Sequence, residues 1–169
     1  MKRLTTTLVL LFAAASFGRD KGNKIVEVKY DRFKDITLVS VKNKSRSGPY
    51  SFTVWDTEVG IMYSCTGDRT DCHPKQIGIF VRDHAGPQWN LIHVDRVLFL
   101  ADGKRIEAQD VKWDGNASTG LESLSAFVSQ DDFFALASAS SVSLQAGPIE
   151  RDLSEKERRG WREIADMAH

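Results

Sequence analysis

From Ile25 to Val128 the chain is cut into short apolar stretches by turn residues, and that cadence restricts most of it to strands. Ile25-Val26-Glu27-Val28-Lys29-Tyr30 alternates apolar with polar, the period of a half-buried strand. Asp31 to Asp35 reads as a turn, and the β-branched run Ile36 to Val41 reads as a second strand. Asn43 to Pro49 (NKSRSGP) is a loop. Tyr50–Trp55 and Val59–Tyr63 predict further strands interrupted by Asp56-Thr57-Glu58, and Gln76–Val81 predicts another before a turn at Asp83–Pro87 (DHAGP). Trp89–His93 is expected to lead into a strand over Val94–Ala101. Asp102-Gly103 then sits between two strand-like runs, a strong hairpin signal, and Asp114-Gly115 suggests a second hairpin. Leu121–Val128 predicts one more strand.

The pattern changes after Val128. Ser129-Gln130-Asp131-Asp132 is an S-x-x-D start ahead of Phe133, Phe134, Leu136 and Ala137, which predicts a short helix. Ser141 to Leu144 returns to strand character and Gly147-Pro148 stops it. Ser154-Glu155-Lys156-Glu157 is a capping box opening a last helix. In that helix Trp161, Ile164, Ala165 and Ala168 make one apolar face, opposite Arg158, Arg159, Arg162, Glu163 and Asp166. Gly160 is expected to weaken this helix by about 1 kcal/mol relative to Ala. Many strands followed by a helix, a strand and a helix predict an α+β domain. The expected form is a twisted antiparallel β-sheet or small sandwich of short strands, with two short helices near the C-terminus covering a face or an open end.

The first residues do not belong to that pattern. Lys2 and Arg3 precede an uncharged apolar stretch from Leu4 to Phe12, and Ala13, Ala14, Ala15 and Ser16 follow. Positive, apolar, small is the order of a cleavable signal peptide, here expected over residues 1–16 with the cut after Ala15 or Ser16. The apolar stretch is shorter than the roughly 20 residues of a membrane-spanning helix, so no membrane span is expected. Residues 17–24 read as a flexible new N-terminus and 25–169 as a single globular domain. The expected location is periplasmic or secreted. Lys plus Arg equals Asp plus Glu at 23 each, which leaves no net field to attract nucleic acid.

In an oxidising compartment the two cysteines, Cys65 and Cys72, are expected to form a disulfide across TGDRTD. The alternative is a metal-binding module from Cys65, Cys72 and His73, although zinc usually takes four ligands at closer paired spacing. Asp68 and Asp71 give the same loop two carboxylates, without the order of a calcium loop.

The stretch from Trp89 onward carries W-x-L, then VLFLADGKRI, then a D-x-F-x-x-L-A-x-A helix, a V-x-L-x-x-G strand and an L-S start of a last helix. In these motifs the C-terminal half resembles a recurrent group of small exported bacterial proteins of unassigned function. The resemblance implies export and a β-meander closed by helices. Its motifs are caps, turns and core positions, so it implies no catalytic residue.

No motif for nucleotide binding or serine hydrolysis is present, and no cofactor is expected. His73, His84, His93 and His169 stand in no metal-ligand spacing. His93 is expected on a strand, and with Asp95 and a serine it is the most plausible site for an exported hydrolase. Trp55, Trp89 and Trp113 are spread along expected strands, where aromatics on one face stack on a ligand or pack as core. Asp110, Asp114 and Asn116 form a second acidic turn, and Asn43 and Asn116 stand in glycosylation sequons. The expected function is a non-enzymatic exported binding or interaction domain, contacting an envelope or extracellular protein or a small ligand through a sheet surface or an open edge strand. An exported hydrolase near His93 and a metal module at residues 65–73 are the alternatives.

Overall fold

The first hairpin is built by aspartates. In the computed structural model, which describes residues 25–41, 57–84 and 89–168, β1 (Val26–Asp31) pairs antiparallel with β2 (Ile36–Val41). The Asp31 carboxylate accepts from the Phe33 and Lys34 N–H groups at 3.0 and 3.3 Å, which folds the chain back. Asp35 completes the turn at φ 52°, a left-handed value that aspartate tolerates better than most residues. The expected signal peptide, the flexible N-terminus, the 43–49 loop and the strand at Tyr50–Trp55 lie outside the described residues.

A larger sheet of six strands is completed by β3 (Glu58–Thr66), β4 (Gln76–His84), β7 (Gln109–Asn116) and β8 (Leu121–Ser129), in the order β1-β2-β3-β4-β8-β7. A smaller sheet holds β5 (Val97–Ala101), β6 (Lys104–Glu107), β9 (Val142–Ala146) and β10 (Ile149–Asp152), in the order β10-β9-β5-β6. All pairings are antiparallel. After β4 the chain leaves the larger sheet to make β5 and β6, then returns so that β8 pairs with β4 along nine residues. Val39, Ile61, Tyr63, Ile77, Ile79, Leu124 and Ala126 are buried on one face of that sheet. The register places them across from one another in rows.

Asp102 and Gly103 turn β5 into β6 at φ 48° and 84°, the hairpin expected from the Asp-Gly pair. Asp114-Gly115 is not a turn. Both residues lie inside β7, and the chain turns instead at residues 117–120. Gly115 is required for space, because a Cβ there would lie 2.3 Å from Cζ2 of Trp113. Nor is Trp89–His93 a strand: residues 90–93 form a bend and a turn, and β5 begins only at Val97. Asp83 and His84, expected in a turn, still belong to β4, and the rest of that expected turn lies outside the described residues. The stop at Gly147-Pro148 is a hairpin turn into β10, a four-residue strand too polar to stand out in the sequence.

Both helices start where their caps place them. Ser129 Oγ accepts from Asp132 N–H at 3.1 Å and opens α1 (Gln130–Ser138). Ser154 and Glu157 form the reciprocal capping box of α2 (Glu155–Met167). Trp161, Ile164, Ala165 and Ala168 are all buried, as their spacing requires. Trp161 meets Phe99 of β5 edge to face at 6.0 Å and Phe133 of α1 at 6.4 Å, so one ring cluster joins the smaller sheet to both helices. Gly160 lets α2 come close to the larger sheet. Its Cβ position lies 3.0 Å from an Ile25 methyl and 3.1 Å from a Val41 methyl. The helix propensity lost at this glycine is offset by that contact.

Candidate functional site

The register of β4 and β8 puts Asp83 directly opposite Glu122 at one end of the larger sheet, on the same face as the core. Two carboxylates there are costly unless each is hydrogen-bonded. Glu122 is fully buried, and its carboxylate accepts from Asn90 N–H at 2.7 Å, Leu91 N–H at 2.9 Å and Trp113 Nε1–H at 3.2 Å. Asp83, also buried, accepts from Thr57 Oγ1–H at 3.2 Å and from the Asn90 side-chain amide at 3.0 Å. Asn90 therefore bridges the pair, with its main chain on one carboxylate and its side chain on the other.

Trp113 is brought to Glu122 by the space above Gly115, and Trp89 packs against it edge to face at 5.6 Å. The result is a closed polar clasp that pins residues 89–91 over the end of the sheet. Its donors and acceptors face each other, and Glu122 presents no surface to a substrate. The chemistry available to the arrangement is therefore anchoring. Nothing in the spacing of Asp83, Asn90 and Glu122 announces the clasp in the sequence; the pairing becomes legible only through the β4–β8 register. Of the expected aromatic platform, Trp89 and Trp113 come together, half-buried, and Trp55 lies outside the described residues.

His93 is placed on the turn that follows the clasp rather than on a strand, and both it and Asp95 are exposed. No hydrogen bond joins the two among the described residues. Cys65 and Cys72 form a disulfide, with their Cα atoms 5.8 Å apart, so neither thiol is available to a metal. Among the described residues no group of three or more His, Cys, Asp or Glu side chains is arranged to hold a metal ion. No helix among them is long and apolar enough to cross a membrane.

The disulfide loop is docked firmly at the other end of the sheet. Thr37 Oγ1 donates to Gly67 O at 2.6 Å and accepts from Arg69 N–H at 3.2 Å, while Gly67 N–H donates to Asp35 O at 2.8 Å. Tyr63 donates its hydroxyl to Thr70 O at 2.9 Å. Burial, helped by the nearby Asp71 carboxylate, pushes the Tyr63 phenol up to about 12.

Beside this loop the β1–β2 hairpin carries three of the six large exposed apolar groups among the described residues, with Phe33 at its tip. Phe33 is 86% exposed, with the Arg32 guanidinium 4.9 Å from its ring centre, and Tyr30 and Val28 are exposed behind it. Tyr30, Arg32, Phe33 and Leu38 line an open hollow of about 530 Å³. The Tyr30 hydroxyl is held by Asp35 at 2.8 Å, and that hydrogen bond raises its pKa. Comparison of the chain with protein-family models, curated protein sequences and solved structures finds no match.

Proposed function

We propose that this chain is an exported, non-enzymatic binding or interaction domain that meets its partner through the β1–β2 hairpin. The observation that carries this reading is Phe33, a large aromatic ring left 86% exposed at a turn that the disulfide loop buttresses. A buried aromatic anchor is what an interface uses, and an aromatic held in water on a braced turn is ready to become one. The Arg32 guanidinium beside it adds a second group of the kind enriched at such contacts. A disulfide suits an oxidising compartment and supports export, as does the signal-like order of residues 1–16.

The test is capture from envelope extract with the immobilised protein and with a Phe33→Ser variant. The wild type is expected to retain a protein in stoichiometric amount, and the variant to lose it. Recovery of background alone by both, or equal recovery by both, would overturn the reading.

A further inference from the structure

Among the described residues four strands lie at sheet edges, and three are protected against pairing with another strand. β6 and β10 are only four residues long, and β7 carries a register shift between Gln109 and Lys112 with Asp110 at φ 54°. Short edges and bulges are the usual devices that stop edge-to-edge association. β1 has neither. It runs six residues, Val-Glu-Val-Lys-Tyr-Asp, pairs with β2 on one side, and meets no described strand on the other. Helix α2 reaches the Ile25 end of β1, whereas Val28 and Tyr30 remain 46% and 43% exposed.

The sequence of β1 is complementary to itself. In a regular antiparallel ladder only residues of like orientation face each other, so a strand pairing with its own copy has its twofold axis on a residue. An axis on Glu27 or on Lys29 sets like charges opposite one another, which is destabilising. An axis on Val28 sets Glu27 opposite the second copy's Lys29, and Lys29 opposite the second copy's Glu27. It also sets Val28 against Val28 and Val26 against Tyr30, twice. Within one chain Glu27 and Lys29 already lie on the same face, 3.3 Å apart. We propose that β1 pairs with β1 of a second copy in this register, joining two six-stranded sheets into one. This rests on the interaction-domain reading and names its partner as the chain itself. A ladder this short buries less than the roughly 1,200 Å² of a standard interface, so the association is weak and concentration-dependent.

The test needs no second molecule: sedimentation equilibrium of the purified chain up to about millimolar concentration, where a weak interface of this class is populated. A monomer–dimer equilibrium is expected, weakened by salt. Glu27→Lys alone and Lys29→Glu alone each set like charges opposite at both contacts and are expected to weaken the dimer at least about tenfold. The double exchange E27K/K29E is expected to restore it, and the two single variants mixed together are expected to form a heterodimer. All these positions are on the open strand, and circular dichroism checks that each variant folds. A wild type that stays monomeric throughout would overturn the proposal, as would a dimer indifferent to the single exchanges or not restored by the double one. If the chain stays monomeric while Phe33-dependent capture of a different protein persists, self-pairing fails and the interaction-domain reading stands. If capture fails while charge-dependent dimers form, the contact is confined to the chain itself.

Discussion

Glu122 shows how much a single buried group can organise. Its carboxylate takes three N–H donors, two from the main chain at Asn90 and Leu91 and one from Trp113. Glu122→Gln keeps the size but replaces one accepting oxygen with a donor, so at least one of those N–H groups is left facing another donor. The expected loss is about 1–3 kcal/mol, read as a lower urea midpoint with a changed tryptophan emission. An unchanged midpoint would mean the clasp does not hold the 89–91 turn. Asp102 is a second such residue. Besides turning β5 into β6, its carboxylate accepts from the N–H and hydroxyl groups of Ser140 and Ser141, at 2.7 to 3.1 Å. Those bonds hold its pKa down to about 2 from 3.8. The depressed value makes the unfolded chain the better proton acceptor. The stabilisation is therefore complete above about pH 4 and is lost as pH falls through about 2. Asp102→Asn keeps the turn and removes the titration. Its denaturation midpoint is expected to fall less steeply between pH 4 and 2 than that of the wild type, and parallel profiles would contradict the assignment.

At the scale of elements, the features legible in the sequence are those made by local chemistry. The Asp102-Gly103 turn, the Ser129 and Ser154 caps and the apolar face of α2 depend on residues a few positions apart, and each appears where its signal stands. Features decided by distant neighbours were not legible. Asp114-Gly115 carries the chemistry of a turn, yet Gly115 is spent on room for the Trp113 ring. Residues 89–93 have the composition of a strand, yet the carboxylates of β4 and β8 draw them into a turn. The Asp83–Glu122 pair and the place of β1 at the end of the strand order among the described residues follow from register and topology, which single-residue patterns do not encode. Gly115→Ala tests this division. Its added methyl must displace the Trp113 indole from Glu122, at an expected cost of about 1–3 kcal/mol by thermal or chemical denaturation. A neutral result would mean that the Trp113 ring does not depend on the space at Gly115.

The whole molecule places its two conspicuous regions at opposite ends of the larger sheet. The end with Asp83, Glu122, Trp89 and Trp113 is closed on itself, and the end with the disulfide loop and the β1–β2 hairpin presents its apolar groups outward. The Cys65–Cys72 bridge closes a short loop, so Cys65→Ser/Cys72→Ser is expected to lose about 2.5 kcal/mol by chemical denaturation. Because Gly67 and Arg69 of that loop bond to Asp35 and Thr37, the same variant is expected to loosen the hairpin and reduce capture. Amide hydrogen exchange along the entire chain, alone and with the protein that capture retains, reads both ends in one measurement. Slowed exchange is expected in residues 26–38 and unchanged exchange in 89–95. Protection confined to 89–95, around Trp89 and His93, would contradict the hairpin as the contact.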